Sequence, residues 1–167
     1  MITRRSLLKY SLSAPVAASL LPASSAFAEE ALNSAINDSP LIYLTPIQSN
    51  GTESRCQAEV WYVYDKVNMY VCTSVKAWRA RAVAEGLDRA KIWVGDLGAW
   101  KNTKGRYKSL PQVDAQASAV TDEISMQKAL GLFGDKYPVE WVLWQSRFRD
   151  GLADGSRVML RYTPLSA

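Results

Sequence analysis

The 167-residue sequence contains no histidine and only two cysteines, Cys56 and Cys72. Without histidine there can be no serine–histidine triad, no histidine-bearing zinc site and no imidazole general base. Long apolar runs are also missing. The stretch from Ser11 to Leu21 is interrupted by Pro15 and several serines and falls far short of the ~20 residues that a spanning helix needs. Acidic residues are absent from the first 28 positions.

That acid-free start has the layout of a cleavable export signal: a charged beginning, a short apolar middle and the small-x-small site Ala26-Phe27-Ala28. Thr3-Arg4-Arg5-Ser6-Leu7-Leu8-Lys9 resembles the twin-arginine consensus, the alternative being an ordinary secretory signal that needs only positive charge. The expectation is a signal peptide over residues 1–28, recognised by the twin-arginine export machinery through Arg4 and Arg5. The protein would then be exported, periplasmic or extracellular, with no membrane anchor.

Cleavage after Ala28 leaves 139 residues, one domain by length and enough to bury a core without disulfide staples. The signal holds three of the 20 basic residues, so the remainder carries 17 against 16 acidic ones. The basic pI of 9.1 is thus partly a property of the leader and does not argue for nucleic acid.

Residues 29–39 are small and polar and read as a flexible leader, with the domain proper at 40–167. Leu41–Ile47 and Arg55–Tyr64 flank an Asn-Gly turn and read as a hairpin. Asp65–Asn68 turns the chain into Met69–Thr73, so that three antiparallel strands form half of a small barrel. In that register Tyr64 faces Met69 and Trp61 faces Cys72, while Cys56 lies beyond the shorter strand. Export favours a disulfide, but alternation puts the two cysteines on opposite faces.

Ser74 is placed to cap a helix over Val75–Glu85, stopped by Gly86, with Val75, Trp78 and Ala82 on one face. Arg89–Gly95 alternates as a further strand, and Asp96-Leu97-Gly98 turns out of it. A basic loop, Lys101 to Lys108, and a strand within Tyr107–Ala117 follow. Thr121-Asp122-Glu123 caps and charges the start of a helix ending at Gly134, Pro138 starts another reaching Gly151, and Arg157–Thr163 is the last strand. Trp141, Trp144 and Phe148 share one helix face, assigned to the core or to a subunit interface.

Chemistry concentrates where the third strand meets its helix. Thr73, Ser74, Lys76, Trp78 and Arg79 supply two hydroxyls and two cations within seven residues, a pattern suited to an anion such as a cofactor phosphate. The bland reading is a capped helix with a solvated basic flank. Trp61 to Tyr64 could wall an aromatic cofactor or simply pack a core.

The run Ile42–Thr45, Val60–Val63, Met69–Ser74, Lys76–Arg81 and Ala90–Gly95 resembles the flavin-binding split-barrel proteins, the pyridoxamine-phosphate oxidase-like superfamily that includes deazaflavin-dependent reductases. The resemblance implies an α+β fold, mainly β: a split β-barrel of about six antiparallel strands with flanking helices. It further implies FMN, a deazaflavin coenzyme or a lost cofactor, a homodimer, and oxidoreductase chemistry on a small-molecule substrate. Thr73, Ser74, Lys76 and Arg79 would hold phosphate, and Trp61 and Val63 would line the ring. Trp78 inside the phosphate segment departs from the pattern, and the lack of histidine argues against a histidine-ligated haem. Two alternatives are a cofactor-free binding protein and a protein-interaction module presenting the Trp141 face. No residue stands out as a general acid or base, and no metal is implied.

Overall fold

The structure is a computed structural model and describes residues 23–165. The twin-arginine motif, with Arg4 and Arg5, lies outside the described residues. Four helices flank seven strands. Helix α1 is Ala23–Asp38, and strands β1 (Ile42–Pro46), β2 (Ala58–Val60), β3 (Val63–Tyr64) and β4 (Met69–Ser74) follow. Next come α2 (Trp78–Ala84), β5 (Arg89–Val94), β6 (Gln112–Ala119), α3 (Glu123–Lys136), α4 (Pro138–Ala153) and β7 (Arg157–Pro164). The strands form one antiparallel sheet in the order β2-β1-β5-β6-β7-β4-β3. This is an α+β fold whose curled sheet makes a split barrel.

Seven strands stand where about six were expected, because the strand read over Arg55–Tyr64 is broken. Its first part pairs with β1, Ile42 opposite Val60. Its last part pairs with β4 at the far edge, Tyr64 opposite Met69 as the turn spacing predicts. The break falls at Trp61-Tyr62, and its cause is a side chain. The Tyr137 hydroxyl accepts the Tyr62 N–H at 3.2 Å and lies 2.8 Å from the carbonyl oxygens of Tyr62 and of Pro40, which share its single proton. Tyr62 therefore satisfies its backbone without a strand neighbour, and the chain passes from one sheet edge to the other.

Alternation divides the sheet into two packed faces. Ile42, Leu44, Met69, Val71, Ile92, Ala115, Leu160 and Tyr162 point into the barrel. Val63, Tyr70 and Met159 meet α3 and α4 through Phe133, Trp141 and Phe148. The Trp141 face is thus core. Gly134 was expected to end its helix, but α3 continues to Lys136. A Cβ at Gly134 would come within 3.1 Å of the Trp141 ring, so this glycine serves close packing between the two helices.

Three further expectations change. Residues 29–38 are helical, and Ile36 of α1 is buried inside the barrel, where its carbonyl accepts the Tyr62 hydroxyl at 2.7 Å. The apolar spacing Leu32, Ala35 and Ile36 explains why this polar-looking segment docks. Ser74 does not cap α2. It is still paired with Arg157 in the sheet, and its hydroxyl accepts the Lys76 N–H at 3.2 Å, so the helix begins at Trp78 behind Ala77. The loop Lys101 to Lys108 contains two 3-10 turns anchored by Tyr107, whose ring stacks on Tyr43 at 5.0 Å and meets Trp93 edge-on. Cys56 and Cys72 are unpaired.

The β3–β4 turn is held by one carboxylate. Asp65 accepts the N–H groups of Val67 and Asn68 at 3.0 and 2.7 Å, the Tyr70 hydroxyl at 3.2 Å and the Lys128 ammonium at 2.8 Å. Burial alone would raise its pKa, but the Lys128 and backbone hydrogen bonds outweigh it and hold the carboxyl below its ordinary value. A depressed carboxyl stabilises the fold above its unfolded pKa of about 3.9, and that contribution disappears as pH falls through the folded value. Asp65→Asn should therefore flatten the acid limb of urea stability measured between pH 5 and pH 2. Tyr137→Phe, which strands the Tyr62 N–H and two carbonyls, should lower stability by about 2–3 kcal/mol in urea melts.

Candidate functional site

The segment joining β4 to α2 carries four of the sequence-predicted site residues within one short run, and the barrel decides which of them meet. Thr73 is buried and shares its face of β4 with Met69 and Val71, at one end of the barrel interior. Ser74 turns to the opposite face, where its hydroxyl closes the turn onto Lys76. Lys76 is exposed and forms no ion pair among the described residues.

Arg79, on the first turn of α2, points toward the barrel. It is half-buried with its Nε enclosed, and its electrostatic neighbours are Tyr162 and Glu59. Its Nε has no hydrogen-bond partner, and neither has the indole Nε1 of Trp78 beside it. Burial pushes the guanidinium below its usual pKa, with Tyr162 and Glu59 acting in the other direction. Burial pushes the Tyr162 phenol well above its usual range, while Arg79 opposes the shift. Two adjacent buried donors without acceptors are costly. They mark a place where an acceptor, and beside Arg79 an anion, would be stabilised.

Trp61 and Val63 lie elsewhere. Val63 is buried on the face covered by α3 and α4, and the Trp61 ring stacks on Tyr137 at 4.9 Å and meets Trp144 edge-on at 5.9 Å. Both belong to the packed helical layer. The structure thus sets Arg79 beside Tyr162 and Glu59, places Thr73 opposite Val158, and separates both from Trp61 and Val63 in the helical layer. Cys72 faces that same helical layer, and its thiol is pushed up to about 11 by burial, against the opposing pull of Arg157.

Two open grooves lie next to α2, neither legible in the sequence because each is built from separated segments. A polar one of about 600 Å³ runs between the β1–β2 turn and the start of β5, past Gln48, Asp88, Lys91 and Asp114. An apolar one of about 500 Å³ lies between α2 and strands β6 and β7. Gly86 and Asp88 line both. Among the described residues, no cluster of histidine, cysteine, aspartate or glutamate is arranged to hold a metal ion, and no helix is long and apolar enough to cross a membrane.

One curled antiparallel sheet, closed across its edges by the Trp61-Tyr62 crossing, defines the class as a split barrel. No protein-family model and no curated protein matches the sequence. Solved structures show the same fold. HutZ of Vibrio cholerae, a heme storage protein, superimposes with a TM-score of 0.53 at 15% identity over 83% of this chain and 91% of its own. A protein of Listeria innocua assigned as a pyridoxamine 5'-phosphate oxidase gives 0.53 at 12% identity over 84% and 94%. ChuZ of Campylobacter jejuni gives 0.58 at 10% identity over 83% of this chain and 53% of its own. These likenesses show a shared split-barrel fold.

If the Arg79 charge is held there at the expense of stability, then Arg79→Met should stabilise the ligand-free protein by roughly 1–2 kcal/mol. Urea unfolding without added ligand measures this, and a loss of stability would mean that the guanidinium is structurally satisfied.

Proposed function

We propose that this protein is an exported split-barrel oxidoreductase that binds FMN or a deazaflavin coenzyme and acts, as a homodimer, on a small-molecule substrate. The observation that carries the reading is the enclosed, unpartnered Nε of half-buried Arg79, next in the chain to the unpartnered Trp78 indole, on the segment that also presents Thr73, Ser74 and the exposed Lys76. Phosphate offers several acceptor oxygens and two negative charges, which suits a guanidinium, an ammonium and an indole N–H that lack acceptors.

The residues present fit the phosphate end of such a cofactor. They do not fit its ring as the resemblance implied, because Trp61 and Val63 are committed to packing under α3 and α4. When bound, a flavin or deazaflavin supplies the hydride or electron transfer. The chain's own part is to hold the anionic tail: Arg79 from beside Tyr162, Lys76 from solvent, and Thr73 at the strand terminus. Export by the twin-arginine route, which carries folded proteins, supports a cofactor loaded before translocation.

A second reading, a protein-interaction module, has one observation in its favour. Helix α4 turns Trp141 inward and leaves Val139, Val142 and Leu143 77%, 79% and 74% exposed, three aliphatic side chains on one outward face.

The flavin reading is tested by retaining the protein in the cytoplasm with Arg4→Lys and Arg5→Lys and recording its visible spectrum. A yellow protein is expected, with the colour lost when Thr73, Lys76 and Arg79 are replaced together. A colourless protein that also leaves the fluorescence of added FMN and deazaflavin unchanged would overturn it. Fractionation should find the unaltered chain outside the cytoplasm and the two-lysine variant inside.

A further inference from the structure

The groove between α2 and the last two strands is walled by Val83 and Ala84 from the helix, Ala117 and Ala119 from β6, and Val158 and Leu160 from β7. It exists because β6 carries alanines at alternate positions of one face, buried Ala115 and Ala117 and exposed Ala119, the last two opposite the larger Tyr162 and Leu160 of β7. Short side chains on the strand and on the helix facing it leave room of about 500 Å³. That is within the range of small-molecule sites, and a largely apolar wall with a few polar groups at the mouth is the usual composition of one.

The rim decides what kind of molecule. Arg81, Ser118 and Asp88 stand at it. The Asp88 carboxylate already accepts the Gln116 amide at 2.8 Å. Arg81 is exposed, has its guanidinium 5.3 Å from the Trp78 ring centroid, and takes part in no ion pair among the described residues. Asp88 keeps its negative charge but is engaged by Gln116, whereas the Arg81 guanidinium makes no hydrogen bond or ion pair among the described residues and is the group free to meet a ligand.

We propose that this groove is a binding site for a small molecule with an apolar body and one anionic group, the body lying between α2 and β6–β7 and the anion meeting Arg81. The site is complete within one chain. Its lining includes Val75, Ala80 and Arg81, which adjoin the Thr73–Arg79 cluster, but none of Thr73, Ser74, Lys76, Trp78 or Arg79.

The probe is 8-anilinonaphthalene-1-sulfonate, an apolar body with a single sulfonate, titrated by fluorescence into the full-length chain and into variants of it. Saturable binding is expected, with affinity falling about tenfold in Arg81→Gln. Ala84→Trp and Ala119→Phe, both at exposed positions and so compatible with folding, should fill the groove and abolish the signal while near-ultraviolet circular dichroism stays unchanged. Val142→Ser with Leu143→Ser should leave binding intact. Undiminished binding in both groove-filling variants, or loss of the signal in the α4 variant, would overturn the proposal. Colour and FMN binding measured on the same variants report on the flavin reading separately.

Discussion

A single phenol organises this fold. The Tyr137 hydroxyl takes the backbone N–H of Tyr62, and its proton is shared by the Tyr62 and Pro40 carbonyls. Those groups would otherwise need a strand neighbour or water. Because a side chain satisfies them, the polypeptide can leave one edge of the sheet after Val60 and join the opposite edge at Val63. Around this crossing the Tyr62 hydroxyl fastens α1 through Ile36, and the Lys136 ammonium lies 3.6 Å above the Tyr62 ring. Trp61 stacks on Tyr137, which stacks in turn on Phe133. Barrel closure, the docking of α1 and the helical layer therefore meet within a few side chains.

The same closure leaves the opposite surface open. The α1, α3 and α4 helices fill the barrel end and one outer face with large aliphatic and aromatic groups. Helix α2 is short, alanine-rich and carries two arginines, so it neither fills its surroundings nor neutralises its own charge. Arg79 is held beside Tyr162 without an acceptor on Nε, and Arg81 stands at the mouth of an apolar groove. A protein interior is ordinarily close-packed with its polar atoms paired. Departures from both rules meet on this one seven-residue helix; elsewhere among the described residues the buried Thr45 hydroxyl is the other side-chain group without a partner.

Much of the architecture could be read from the sequence because it is written in local periodicity. Alternation in Arg89–Val94 and the register of Tyr64 opposite Met69 follow from a two-residue repeat and a turn. The Asp122 cap, which accepts the Ser125 N–H at 2.7 Å, and Pro138 at the head of α4 follow from the chemistry of helix ends. The misreadings share one cause. Tyr62 is interrupted by a hydroxyl 75 residues away, Gly134 is occupied by a ring from the next helix, and residues 29–38 are helical because the barrel offers Ile36 a place to be buried. Ser74 remains in its strand because Arg157 pairs with it.

The sequence by itself therefore determined what depends on neighbours a few residues apart: the strands, the helices, the absence of imidazole chemistry and the concentration of hydroxyl and cationic groups between Thr73 and Arg79. Tertiary structure decided which of those groups share a site. The sheet turns Thr73 onto its barrel face, α2 sets Arg79 beside Tyr162, Trp61 and Val63 are committed to the helical layer, and Ala84, Ala119 and Leu160 gather around one groove. The physical reason is that alternation assigns a side chain to a face, but only strand order and the curl of the sheet determine what stands opposite that face.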